Sequence, residues 1–245
     1  MKNSANNEKR YGLARVLSKM GLASRTEAAR MITAGLVSVN GRIARDPEFP
    51  VVLERDSVTL SGQEQKPVEN IYLCLNKPRG LLTTTADEKG RDTVYRCFDG
   101  AELPWIAPVG RLDKASEGLL LFTNDTGWAA KITSPESALD KIYHVQINRL
   151  PNSEDIEKMR CGVELDGGRH AMKRVCVLRK GEKNAWLEIV LDEGRNRQIR
   201  KILSALNFDV LRLIRVQIGS LKLGELPKGA WRMLDPSEIS LLVQP

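Results

Sequence analysis

Val109-Gly110-Arg111-Leu112-Asp113-Lys114-Ala115-Ser116-Glu117-Gly118, running on into Leu119-Leu120-Leu121-Phe122-Thr123-Asn124-Asp125, sets a polar turn between two glycines and feeds it into an apolar run. Glycine on each side lets the backbone turn sharply, and so short an uninterrupted apolar run reads as a buried strand. Asp113 is thereby held close to a strand, where capping the turn and doing chemistry are both open to it. Upstream, Ile71–Leu75 is a strand candidate that ends in the turn Asn76-Lys77-Pro78-Arg79-Gly80. Downstream, Tyr143, Val145 and Ile147 recur with period two, and further strands are expected near Met172–Leu178, Ala185–Leu191 and Val210–Ile218. Helices are expected near Ser153–Met159 and from about Asn196 to Leu206. Strands outnumber helices and follow one another without regular βαβ alternation. The pattern predicts an α+β fold with a mixed, mainly antiparallel sheet flanked by helices.

A chain of 245 residues has room for one large core and a small appended module. In the first part, Leu13, Val16, Leu17 and Met20 recur at helical spacing, and Ser24 followed by Glu27 reads as a capping box opening a second helix, Arg25–Ala34, that Gly35 closes. Leu36–Val39 then reads as a strand, Asn40-Gly41 as a tight turn, and Ser57–Leu60 as another strand. This is a small α/β unit, expected to span residues 1–62. Residues 63–70 are polar, contain Pro67 and make the linker candidate, leaving 71–245 as the body. The charge is concentrated at the start of the chain. The whole chain carries +7, and residues 1–45 hold nine basic residues against two acidic ones, so the remaining 200 residues are neutral overall. A basic stretch joined to a neutral remainder predicts a docking part and a working part, with a polyanion as the docked partner.

Several function classes are excluded at this level. No apolar run approaches the ~18 residues of a membrane span, and the first ten residues lack an apolar stretch of signal-peptide length, so a cytoplasmic protein is expected. Cys74, Cys97, Cys161 and Cys176 never form CxxC, and His144 and His170 sit in no metal-like cluster. Neither GxGxxG nor a phosphate loop is present. No metal and no cofactor are expected.

Arg15 and Lys19 lie four apart on the first helix, and Arg25 and Arg30 lie on the second, so the helix pair can show a basic face while its apolar face packs inward. The order Gly21-Leu22-Ala23-Ser24-Arg25, Ala28, Ile32, Gly35, Val37 and Val39-Asn40-Gly41 resembles the S4 RNA-binding module. That resemblance implies RNA contact through Arg15, Lys19, Arg25 and Arg30. In the body, Glu193-Gly194-Arg195-Asn196-Arg197-Gln198-Ile199-Arg200-Lys201 is a glycine turn feeding an arginine-rich helix. It suits phosphate binding, or one arginine folding inward to hold a carboxylate ionised, or simply an exposed basic helix. In Lys141-Ile142-Tyr143, period two puts Tyr143 on the face opposite Ile142. Glu117 is the rival carboxylate to Asp113, and the two form a pair to test for hydrolysis.

Lys77-Pro78-Arg79-Gly80, Gly110-Arg111-Leu112-Asp113 with Ser116–Leu120, Lys141-Ile142-Tyr143 and Glu193–Arg200, in this order, resemble the RNA pseudouridine synthases, and more narrowly their RsuA-type branch, which acts on ribosomal RNA and carries an N-terminal S4 module. The resemblance implies that Asp113 is the essential aspartate, Arg111 the arginine two positions before it, Tyr143 the active-site tyrosine and Arg200 the basic residue facing the aspartate, with Arg197 as the alternative. Lys77, Arg195 and Arg197 join Arg111 as expected substrate contacts. A uridine extruded from its stack would lie on the Tyr143 ring. Burial alone would neutralise Asp113, so a nearby guanidinium is required. Ribosomal RNA is the expected partner and one protomer is expected to suffice. Two competing readings are a non-catalytic S4-type RNA-binding or ribosome-assembly protein, and a nucleoside hydrolase in which Glu117 matters as much as Asp113.

Overall fold

The basic N-terminal stretch forms a small layer of helices on short strands in the computed structural model, which describes residues 10–53, 55–64, 68–84, 90–165 and 168–244. Strand β1 (Tyr11–Gly12) leads into α1 (Leu13–Lys19) and α2 (Arg25–Thr33), followed by β2 (Val37–Val39), β3 (Arg42–Ile43), β4 (Pro50–Val51), β5 (Val58–Leu60) and β6 (Gln63–Glu64). Leu13, Val16, Leu17, Ala28 and Ile32 are fully or nearly fully buried against Val37, Val39 and Val58, as the helical and alternating periods predict. Ser24 caps α2 by accepting the Glu27 amide at 3.1 Å. The Glu27 carboxylate turns to Arg30, at 3.5 Å. Asn40 and Gly41, with φ of 51° and 77°, make the tight turn between β2 and β3.

The chain divides into two compact units. The first runs to Ile71 and also takes in Glu102–Ala107 and Thr123–Thr126, so it is not one continuous stretch. Asn124 explains part of this, since it accepts the Ile71 amide at 2.8 Å and donates to the Glu69 carbonyl at 2.9 Å.

The second unit is built on β7 (Tyr72–Lys77), β8 (Ala107–Val109), β9 (Glu117–Thr123), α3 (Thr126–Thr133), β10 (Lys141–Ile147), α4 (Ser153–Cys161), β11 (Val163–Leu165), β12 (Gly168–His170), β13 (Arg174–Lys180), β14 (Ala185–Leu191), α5 (Gln198–Ala205), β15 (Val210–Ile218), β16 (Leu221–Lys222), β17 (Trp231–Met233) and α6 (Pro236–Leu241). Among the described residues one sheet has the order β13-β14-β10-β15-β9-β7-β17, with β16 beside β15 and β8 beside β9. The pairs β13–β14, β14–β10, β10–β15 and β7–β17 are antiparallel, and β9–β15 is parallel. The fold is therefore the α+β, mainly antiparallel sheet with flanking helices that the strand pattern predicts.

β9 is buried along its whole length. Gly118, at φ +102°, sits where any Cβ would lie 2.3 Å from the Arg215 carbonyl oxygen, so only glycine lets β9 and β15 approach here. Two cores cover the cleft face of the sheet. Val145, Ile147, Leu187, Ile189 and Leu213 pack with Ile199, Ile202 and Leu203 of α5, while Val109, Leu119, Leu121 and Ile218 pack with Trp128 and Ile132 of α3. Helices α3 and α6 are absent from the sequence reading. Both are short, although the capping box of Asp235 and Glu238 with Pro236 is a legible start signal for α6. No helix among the described residues is long and apolar enough to cross a membrane.

Candidate active site

A cleft of about 610 Å³ opens where the two cores part, with Val109, Ile132 and Ile218 on one side and Leu191, Ile199 and Leu213 on the other. The volume is in the range of small-molecule and cofactor sites. Asp113, Arg111, Tyr143, Arg195, Arg197 and Arg200, drawn from separate sequence motifs, all line it.

The loop between β8 and β9 carries Asp113 and is fastened on several sides. Gly110 starts it at φ +77°, and the Ser116 amide closes a turn on the Asp113 carbonyl at 2.9 Å. Thr83 donates its hydroxyl to the Leu112 carbonyl at 2.7 Å, and the Gly80 amide donates to the Lys114 carbonyl at 2.7 Å. Lys77 lies beneath. Its ammonium donates to the carbonyls of Pro78 at 3.0 Å, Asp113 at 3.3 Å and Ser116 at 2.9 Å, and the side chain is completely buried. Burial pushes this lysine down to about 8, against the pull of Glu117 and Asp113. The expectation that Lys77 contacts substrate is thus corrected: its stem runs inward from β7, and its donors are spent on the main chain that carries the aspartate.

The arginine motif splits into distinct roles. Arg197 approaches the Asp113 carboxylate at 3.5 Å. It does so from the residue that opens α5, in the left-handed conformation (φ 52°, ψ 30°), which is uncommon outside glycine and aims the side chain back across the cleft. Both side chains are part-exposed, 51% and 37%, so the pair fixes orientation more than stability. Arg197, the alternative to Arg200, is thus the guanidinium within ion-pair distance of Asp113, and Arg200 lines the same cleft. One turn into α5, its guanidinium donates to the carbonyls of Ala115 at 3.2 Å and Val210 at 3.5 Å. Burial and the Arg197 charge lower its proton affinity, and Asp113 opposes them. Arg195 pairs with Glu193 at 2.8 Å at the rim.

Glu117 does not share the cleft. Its side chain is 3% exposed and lies on the other face of the sheet, where Arg212 grips both carboxylate oxygens at 3.0 Å and Lys228 reaches one at 2.6 Å. Desolvation raises its pKa, but these hydrogen bonds and charges outweigh it and leave the group below the usual carboxylate range. A hydrolase with Asp113 and Glu117 facing one bond does not fit this geometry.

Two further cations line the cleft that the motif reading gave no role. Lys141 lies on the Tyr143 face of β10, and Arg215 of β15 is the cross-strand partner of Tyr143. Arg215 shares the alternation of buried Leu213 on β15, and a charge at that inward position was the signal available for it. In the N-terminal unit, Arg15 and Lys19 stand over the Tyr11 ring, with charge-to-centroid distances of 5.4 and 3.8 Å. Arg25 and Arg30 are exposed, but five residues on a helix separate them by about 140°, so they do not share one face with each other. Among the described residues no group of His, Cys, Asp or Glu side chains could hold a metal ion.

This arrangement of a loop-borne carboxylate, an aromatic ring and several guanidinium groups meets a matching family model. The model for RNA pseudouridylate synthase matches residues 71–205, and that for the S4 domain matches residues 12–56. The chain belongs to the RNA pseudouridine synthases. It is therefore an isomerase with an N-terminal S4 domain. A protein of Aquifex aeolicus described as an uncharacterized RNA pseudouridine synthase is 36% identical over 92% of this chain and 91% of its own. The ribosomal large subunit pseudouridine synthase B of Bacillus subtilis is 33% identical over 94% of each. Among solved structures, a crystal structure of a pseudouridylate synthase covers 95% of this chain and 100% of its own, with 30% identity and a TM-score of 0.66.

Proposed function

We propose that this synthase isomerises a uridine of ribosomal RNA in the cleft, with Asp113 as the acting carboxylate, Arg197 as its ionic partner and Tyr143 as the surface on which the base lies. The observation that carries this reading is the meeting of Asp113 and Arg197 at 3.5 Å in the cleft that Tyr143 also lines. For the substrate, support comes from the Bacillus subtilis relative, whose name specifies the large ribosomal subunit.

The reaction breaks the bond from ribose C1′ to uracil N1 and joins C1′ to C5, with C5 losing a proton and N1 gaining one. Inside a stacked helix these atoms are out of reach, so the nucleotide is extruded at a cost of a few kcal/mol. Arg111, at the mouth of the Asp113 loop, steadies the displaced strand, and Tyr143 supplies stacking worth about 1–3 kcal/mol. Asp113 acts ionised, whether on the sugar, on the base or on a ribose proton. Arg197 opposes the loss of water around that carboxylate when the base enters. Arg200 holds the loop through the Ala115 carbonyl. The S4 domain adds phosphate contacts through Arg15, Lys19, Arg25 and Arg30, and a monomer acting in the cytoplasm, where ribosomal RNA resides, meets every requirement.

The test is to incubate the purified protein with unmodified ribosomal RNA, large-subunit RNA first, and map pseudouridine by chemical labelling and primer extension. Wild type is expected to modify a defined position. Asp113→Asn is expected to bind the same RNA and form no product. Product from the Asn variant would remove Asp113 from its role.

A further inference from the structure

Arg215 and Lys141 form a cationic floor beside Tyr143. Tyr143 and Arg215 are cross-strand partners on β10 and β15, and an irregularity in the pairing between Ile142 and Tyr143 turns both Arg215 and Ile218 to the cleft. Arg215 is 6% exposed. Its Nε donates to the Leu119 carbonyl at 2.8 Å, while its Nη2 is buried and has no hydrogen-bond partner. Lys141 lies two residues from Tyr143 on the same face and donates to the Asp192 carbonyl at 3.2 Å. Burial lowers its proton affinity, and the charge of Arg215 lowers it further, so the two cations repel across the cleft floor. A buried charged donor without an acceptor is costly, and Arg215 lines the cleft, so a carbonyl oxygen carried in by a ligand would relieve that cost.

The isomerisation supplies a transient acceptor. When the C1′–N1 bond breaks, its electron pair leaves with the base, and the negative charge spreads from N1 onto the carbonyl oxygens O2 and O4. The pair is used again when C5 attacks C1′, C5 then loses its proton and N1 takes one up. We propose that Arg215, with Lys141 beside it, donates to a carbonyl oxygen of the departing uracil and stabilises the anion between cleavage and recapture. This rests on the reading that the cleft receives uracil against Tyr143. It holds whichever route Asp113 takes, because negative charge develops on the ring in each. A preorganised donor acts at the moment charge develops, in a site where water does not screen it.

The experiment compares leaving groups. A short RNA spanning the position that the wild type modifies is made with uridine or with 5-fluorouridine at that position, and cleavage of the N-glycoside is followed in single turnover by mass spectrometry of digested RNA. Fluorine withdraws electron density and makes the base a better leaving group that needs less help. Arg215→Gln is expected to slow cleavage of the uridine by ~10²–10³-fold, with unchanged RNA affinity, and to slow cleavage of the 5-fluorouridine at least ~10-fold less severely. Arg215 also anchors Leu119, so Lys141→Met provides the same comparison in a side chain whose bond is to an exposed loop carbonyl, with a smaller loss of the same selectivity. Equal losses on both RNAs in the folded variants, or a loss confined to RNA affinity, would overturn the proposal. An Asp113→Asn protein that still isomerises would instead defeat the Asp113 reading and leave this comparison standing.

Discussion

Lys77→Met separates a loop-holding lysine from a substrate-binding one. The buried ammonium donates to the carbonyls of Pro78, Asp113 and Ser116 at 3.0, 3.3 and 2.9 Å. Stranding a buried carbonyl costs about 1–3 kcal/mol, and with one long bond among the three the loss is roughly 3–5 kcal/mol. Against this stands a relief. Burial takes Lys77 from 10.5 to about 8, a penalty of roughly 3 kcal/mol that methionine does not carry. The net destabilisation is then roughly 0–2 kcal/mol, a fall in Tm of at most roughly 8 °C. Activity falls further than stability, because the freed main chain carries Asp113, and a displacement of ~1 Å at a reacting group costs ~10²-fold. Single-turnover pseudouridine formation, thermal denaturation and RNA titration on the same preparations give the three numbers. The pH dependence adds a fourth. From about 8 to 10.5 the unfolded chain keeps the Lys77 proton that the folded chain releases, so stability from this group rises with pH in that window. Lys77→Met flattens the rise. Weakened RNA binding at an unchanged rate would return Lys77 to the substrate side, and an unchanged rate and Tm would show the tether to be idle.

Glu117→Gln is expected to cost roughly 1.5–3 kcal/mol of stability, because Arg212 and Lys228 lose their charged acceptor, yet to leave the rate per folded molecule unchanged. The folded-state pKa of Glu117 is lowered, so its contribution is present above the unfolded value of 4.5 and lost as pH falls through the folded one. Acid denaturation curves of the variant should therefore lose this step, whereas a collapse of turnover in folded protein would bring Glu117 back into the chemistry. Tyr143→Ala should slow single turnover by ~10–100-fold, from a stacking loss of about 1–3 kcal/mol, with Tyr143→Phe close to wild type. Equal losses in the two would assign the work to the hydroxyl. Replacing Arg15 and Lys19 together by Gln should weaken RNA binding and reduce the slope of log affinity against log salt by ~2. A titration that matches wild type would free those residues of phosphate contact.

Local physics made much of this protein readable from its residues. The apolar run Leu119–Phe122 has no polar side chain to show to water, so it could only be a buried strand, and it is. Period two placed Tyr143 opposite Ile142, helical spacing and a Ser24 cap delivered the two N-terminal helices, and Asn40-Gly41 specified its own turn. Repulsion, reach and burial among charged groups distant in sequence follow different rules. Arg197 and Arg200 sit three residues apart and are chemically identical, and the left-handed backbone at Arg197 sends one to Asp113 while the next turn of α5 sends the other to main-chain carbonyls. Lys77 and Glu117 look like surface charges in a list of residues, but the sheet turns one under the Asp113 loop and the other to its far face. Arg215 acquires its unspent donor only because β10 and β15 bring it beside Tyr143, across 72 residues of chain. Turns and strands are decided by neighbours along the chain, and which charge meets which is decided by neighbours across the sheet.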